Sequence, residues 1–267
     1  MFDPDQTTVD ALLGGRVRLR QPRLGYRAAT DPVLLAAACP ARAGETALDL
    51  GCGVGAAALC LGARVPGLAL HGLEVQPGYA ALARENGARL GARLGARLGA
   101  GALVVHEGDL AAMPSALRAM SFDQVIANPP FHPPGAPASP DAGKDRAHRE
   151  AEGEAAGLAA WIEAGLRRLK PGGRLTMIHR TERLAEMLAA LDGPAGEIRV
   201  LPIAGRAGRA AGRVIVRARK GARAPLRLLA PLVMHAGEAH VRDGEDFSPA
   251  ALAVLRDAQA LELDPPD

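Results

Sequence analysis

Cysteine is scarce in this chain: Cys39, Cys52 and Cys60 are all there is in 267 residues. An odd number with no C-x-x-C pair excludes the usual zinc and redox motifs, and it leaves these three as small apolar residues. No metal site is expected. Lysine is as rare, at Lys144, Lys170 and Lys220, so the excess of arginine and alanine reflects coding bias as much as function. Long apolar runs are missing too. Nothing approaches the roughly 18 residues of a membrane helix, and the opening Met1 to Asp10 is acidic, with no basic start to a leader. The expectation is a cytoplasmic protein with no membrane partner.

What is present is a globular composition, 48% apolar, enough for the core of one sizeable domain with small appendages. The net charge of +3 is mild, but its distribution is uneven. Arg16, Arg18, Arg20, Arg23 and Arg27 fall in a stretch with no acid, and eight bases from Arg199 to Arg223 include Arg206, Arg209 and Arg213, again with no acid. After Met234 acids dominate. Such asymmetry fits a polyanion on one face, and it also fits an ordinary solvated surface.

From residue 46 onward, strand patterns alternate with helical ones, which predicts an α/β fold with a mostly parallel sheet and helices on both faces. Strands are expected over Thr46 to Leu50, Leu68 to Glu74, Leu103 to His106, Phe122 to Ala127, Arg174 to His179, Glu197 to Ile203 and Arg213 to Arg219. Helices are expected over Ala56 to Ala63, Gln76 to Leu98, Leu158 to Leu169 and Thr181 to Leu191, with Lys170-Pro171-Gly172-Gly173 as a helix-ending loop. Ahead of this core, Val17 to Arg27 suggests a hairpin, and Thr30-Asp31-Pro32 a capped start for a helix over Val33 to Ala38. The expected division is an N-terminal extension over 1–40, a core over 41–220 and an acidic C-terminal extension over 221–267. Residues 87 to 98 repeat Gly-Ala-Arg-Leu three times and line up Arg89, Arg93 and Arg97; an exposed helix end produced by sequence slippage explains this better than a phosphate contact.

Leu48-Asp49-Leu50-Gly51-Cys52-Gly53-Val54-Gly55 joins a buried strand to a helix through three alternate glycines, which allow a tight turn and close approach to a ligand. The spacing is not the G-x-G-x-x-G of dinucleotide folds. Glu74 ends the next strand, where a carboxylate can accept both hydroxyls of a ribose; that serves NAD and S-adenosylmethionine equally. Asp109, after the third strand, suits either an adenine amino group or a turn. Thr30, Asp31, Asp49, Gly51, Gly53, Gly55, Glu74, Asp109 and Asn128 form the candidate cofactor set.

Asn128-Pro129-Pro130-Phe131 follows the apolar strand Phe122 to Ala127, at the sheet edge where open α/β folds bind ligands. An exocyclic amino nitrogen is a poor nucleophile because its lone pair is delocalised into the ring. The Asn128 amide oxygen and the Pro129 carbonyl can each accept one of its N–H bonds and turn the lone pair outward. Pro130 stiffens the segment and Phe131 offers a stacking face for a base. The competing reading is a rigid turn leaving a strand.

The pattern Asp49 to Gly55, Glu74 and Asp109 resembles the class I methyltransferases over residues 46 to 180. That resemblance implies a Rossmann-like, seven-stranded, mostly parallel sheet with a reversed final strand, and S-adenosyl-L-methionine as cofactor. The tetrapeptide is similar to that of enzymes methylating adenine N6, guanine N2 or protein glutamine. With Leu12-Leu13-Gly14-Gly15-Arg16, Gln21-Pro22, Gly25-Tyr26-Arg27, Thr30 to Leu35, Lys144 to Glu150 and Phe247-Ser248-Pro249, the chain resembles the bacterial tRNA1(Val) adenine-37 N6-methyltransferase family. The resemblance implies a tRNA adenine as substrate. Six prolines between residues 128 and 144 suggest a lid over an extruded base, and Arg16, Arg18, Arg146, Arg206, Arg209 and Arg213 are candidate RNA contacts, with His148 and Arg149 beside Arg146. Guanine N2 in ribosomal RNA, protein glutamine and a noncatalytic RNA-binding module stand as alternatives.

Overall fold

The computed structural model describes residues 2–94, 103–130, 157–237 and 246–264. Among the described residues, no helix is long and apolar enough to cross a membrane. The strands are β1 (Thr7–Leu12), β2 (Val17–Pro22), β3 (Thr46–Leu50), β4 (Ala69–Glu74), β5 (Val104–Glu107), β6 (Phe122–Ala127), β7 (Leu169–Arg180), β8 (Ala195–Ala204), β9 (Ala211–Lys220), β10 (Arg227–Leu228) and β11 (Leu232–Val233). The helices are α1 (Thr30–Ala38), α2 (Ala56–Arg64), α3 (Pro77–Leu94), α4 (Ser115–Arg118), α5 (Leu158–Arg168), α6 (Leu184–Leu191) and α7 (Pro249–Leu255).

Strands β3 to β11 form one sheet in the order β10-β8-β9-β7-β6-β3-β4-β5, with β11 also on β8. From β5 to β7 all pairs are parallel, and β9 runs antiparallel between β7 and β8. Seven strands therefore match the expected topology, including the reversed last long strand. The difference is the pair of two-residue strands, β10 and β11, that the segment after β9 adds beside β8.

The chain leaves β3 for β4 and β5 on one side and returns to β6 and β7 on the other, so its strand order switches between β3 and β6. Leu50 and Ala127 are register partners there, which brings the segments leaving both strands together in the crevice where such sheets bind ligands. Alternation along β6 sends Ile126 into one apolar layer, with α1, α2 and the hairpin, while Val125 and Ala127 join the other, with α5 and α6.

Three local expectations are corrected. The hairpin pairs β1 with β2 and turns at Leu13–Gly15, where Gly14 is left-handed, so it lies N-terminal to the expected Val17 to Arg27. The β-branched Thr7, Thr8 and Val9 supply the missed strand. Helix α1 begins at Thr30 itself, with Ala29 at its cap and no side-chain cap hydrogen bond. Lys170 to Gly173 lie inside β7, which absorbs them at an irregularity in its register with β6.

The basic and acidic segments meet. Arg199 Nε lies 2.8 Å from Asp264 Oδ1, Arg217 is bonded to the other oxygen of Asp264, and Arg206 pairs with Asp246. Arg217 is 4% exposed and Asp264 44%. Removing a partner from a buried charge costs about 3–5 kcal/mol, and the water at Asp264 reduces that. Asp264→Ala is thus expected to destabilise the fold by about 2 kcal/mol in urea titration, against about 0.5 kcal/mol for a surface change.

Candidate active site

The turn after β3 is left-handed at Gly51, Gly53 and Gly55, with φ of 64°, 55° and 86°. At Gly51 a side chain is barred twice. Besides the φ, an added Cβ would lie 2.6 Å from Trp161 Cη2, the indole that α5 lays over the turn. The Tyr26 ring stands 3.6 Å from the equivalent point at Gly53.

Two buried carboxylates flank this turn. Asp49, 3% exposed, accepts the Ala58 N–H at 3.2 Å, and Glu74 accepts Gly53 N–H at 2.9 Å and Gln76 N–H at 2.8 Å. Burial pushes Asp49 up to about 7, against the Ala58 hydrogen bond and with the charge of Glu74 adding to it. Burial raises Glu74 as well, opposed by its backbone N–H partners. Asp109 is exposed, and its Oδ1 accepts Ala111 N–H at 2.7 Å, a turn contact. Thr30 opens α1, and Asp31 lies 3.2 Å from Arg213 Nε.

Across the crevice, Asn128 Nδ2 donates to the Tyr26 hydroxyl at 3.5 Å, while Asn128 Oδ1 is buried and has no hydrogen-bond partner among the described residues. The Tyr26 hydroxyl is held well above its ordinary range by burial and then by the charges of Asp31 and Asp49, so it remains protonated. Tyr26 thus touches both the glycine turn and Asn128. Pro129 is buried, and the Pro130 carbonyl lies 3.2 Å from His179 Nε2. His179 Nδ1 accepts Arg180 N–H at 2.8 Å, which assigns the imidazole proton to Nε2 and makes Pro130 its acceptor. Burial, helped by Arg183, brings His179 down to about 4 despite its bond to Pro130, so the ring is neutral. Phe131, His132, Arg146, His148, Arg149 and the lid expected over this stretch lie outside the described residues from 131 onward, as does Arg97 of the repeat.

The model for the methyltransferase small domain family matches residues 29–143. A tRNA1(Val) (adenine(37)-N6)-methyltransferase from Actinobacillus succinogenes is 32% identical over 117 residues, 43% of this chain and 46% of the relative. One of the same name from Porphyromonas gingivalis is 33% identical over 121 residues, 42% of this chain and 43% of the relative. The matches thus span less than half the length of these relatives. The crystal structure of a predicted O-methyltransferase from Agrobacterium tumefaciens is similar at TM-score 0.66 and 26% identity, over 87% of this chain and 98% of that one. This is a class I methyltransferase fold. The cofactor that this fold and the matching family model imply is S-adenosyl-L-methionine.

The methyltransferase fold and the residues present suit that group. Asp49 and Glu74 are desolvated carboxylates without an ion pair among the described residues, fitting a ligand that brings hydroxyl donors and positive charge. Of the candidate RNA residues, Arg206 and Arg213 are ion-paired, Arg16 Nη1 donates to the Asp257 carbonyl at 2.6 Å, and Arg18 and Arg209 are exposed. In the repeat, Arg89 pairs with Glu85 and Arg93 donates to the Gly15 carbonyl, both internal contacts.

Tyr26, Trp161 and His179 were not among the candidates read from sequence. His179 had a signal: it is a polar residue at the end of an apolar strand, on the ligand-binding edge. Trp161 is the sole tryptophan, so Gly51→Ala offers a direct check. It is expected to cost about 2 kcal/mol through left-handed strain and the displaced indole, with a shift in tryptophan emission; unchanged emission and melting temperature would contradict the packing described.

Proposed function

We propose that the chain is an S-adenosylmethionine-dependent N-methyltransferase acting on adenine N6 in tRNA, a cytoplasmic substrate. The observation that carries this reading is the buried Asn128 Oδ1, an acceptor without a partner among the described residues, set at the sheet edge beside Pro129 and Pro130. A desolvated amide oxygen without a donor is costly to keep, and an incoming amino group supplies the N–H it lacks. The names of the relatives support adenine and tRNA.

In this reading Glu74 would accept the ribose hydroxyls of the cofactor, Asp49 and the Gly51 to Gly55 turn would shape its seat, and Thr30, Asp31 and Asp109 would contribute to it. When bound, the cofactor would supply an electrophilic methyl group for the substrate amine. Asn128 Oδ1 and the Pro129 carbonyl each accept one N–H of the substrate amine and direct its lone pair. Tyr26 fixes the Asn128 amide so that its oxygen, and not its nitrogen, faces the amine. His179 holds Pro130 by its carbonyl, which leaves the Pro129 carbonyl for the substrate. The methylated nitrogen is cationic and loses one proton to water, so no strong base is required.

Incubating the protein with methyl-labelled cofactor and total tRNA tests the reading, with nucleoside mass spectrometry identifying the product. N6-methyladenosine is expected. Transfer no faster than in buffer, or transfer to a release-factor peptide with none to RNA, contradicts it.

A further inference from the structure

We propose that Arg180 and Thr181, at the C-terminal end of β7, form a binding site for a backbone phosphate of the substrate nucleic acid. The identity of the ligand rests on the RNA reading above; the anion site itself does not. Arg180 Nε and Thr181 Oγ1 are both buried, and among the described residues neither has a hydrogen-bond partner. Unsatisfied buried donors are rare, and two on consecutive residues at the rim of a ligand crevice call for an oxygen acceptor from outside the chain.

Charge separates Arg180 from its neighbours. Arg213, its register partner on β9, lies 3.2 Å from Asp31 Oδ2, and Arg183 Nε lies 2.7 Å from Glu186. Arg199, Arg206, Arg217 and Arg219 are likewise paired. Arg180 has no ion pair among the described residues, and a half-buried guanidinium without a counter-ion favours an anion strongly. A guanidinium edge beside a hydroxyl matches the several oxygens of a phosphodiester.

Position gives the reason for a phosphate. Met177 is the register partner of Ala127, the last residue of β6, and His179, the residue before Arg180, bonds the Pro130 carbonyl. An enzyme that works on an extruded base must grip the backbone beside it, and contacts to phosphate set that register. The sequence pattern points to RNA contacts at Arg16 and Arg18 in the hairpin, at Arg146, and at Arg206, Arg209 and Arg213 between and on β8 and β9. Arg180 sits one residue from the bond that fixes Asn128-Pro129-Pro130.

The test uses the full chain with Arg180→Gln, Arg180→Lys and Thr181→Val. In phosphorus NMR, the unmodified chain is expected to broaden the signal of inorganic phosphate, Arg180→Lys to keep the effect and Arg180→Gln to lose it. In tRNA binding across a salt series, Arg180→Gln should weaken affinity about tenfold and make the log–log salt slope shallower by about one. Cofactor affinity, read by calorimetry, should not move. If Arg180→Gln melts early, Thr181→Val carries the test, with binding about threefold weaker. Phosphate broadening without any tRNA binding would uphold the anion site and overturn the RNA reading. An unchanged salt slope with normal tRNA binding, no phosphate effect in the unmodified chain, or a loss confined to cofactor affinity each overturns the proposal.

Discussion

Asn128→Ala is expected to lower kcat about a thousandfold, roughly 4 kcal/mol, the scale of losing a preorganised acceptor at the reacting atom. Cofactor affinity should stay within about tenfold and melting within a few degrees, because the Asn128 oxygen has no partner among the described residues to lose. What the side chain does bond is the Tyr26 hydroxyl, through Nδ2. Asn128→Asp separates the two duties: it keeps an acceptor oxygen but cannot donate to Tyr26, so it should also fall far below the native rate. A fall in cofactor binding that accounts for the whole loss of rate would move Asn128 from the amine to the cofactor. Steady-state rates alongside calorimetry distinguish these outcomes.

The parallel core was legible because its signals are local. A buried strand such as Thr46 to Leu50 is an apolar run closed by glycines, and both it and Phe122 to Ala127 appear in the structure with the bounds expected. The site was half legible for the same reason. Gly51 to Gly55 and Asn128 to Pro130 each follow a strand within a few residues, so the topology alone carries them to one crevice. Tyr26 and Trp161 come from elements distant in sequence, and only packing brings one against Gly53 and the other against Gly51. The hairpin was misplaced because β1 mixes Thr, Asp and Ala, a pattern too polar to stand out; pairing with β2 and burial of Thr7 make it a strand. Charge was read least well. A run of arginines looks like a ligand surface until its partners are known, and Asp246 and Asp264, far along the chain, become visible as partners only in the fold.

Asp49→Asn is expected to make the protein more stable and less able to bind its cofactor. Burial raises the Asp49 carboxyl from 3.8 to about 7, so across that window the folded chain holds a proton that the unfolded chain has released. The stability this contributes is complete below the unfolded value and drains away as pH rises toward about 7. Well above that, the native chain carries a desolvated charge at a cost on the order of 4 kcal/mol. Asparagine keeps the acceptor for Ala58 N–H without the charge. The variant should therefore melt several degrees higher near pH 8, and the gain should vanish near pH 4, where both side chains are neutral. Cofactor affinity should fall about tenfold, since the variant lacks the negative charge that favours a cationic cofactor in this desolvated seat. Equal gains at both pH values would show that the charge of Asp49 is not what strains the fold. The expected outcome is the trade of a binding site, in which a carboxylate kept against the stability of the chain is the one that the cofactor requires.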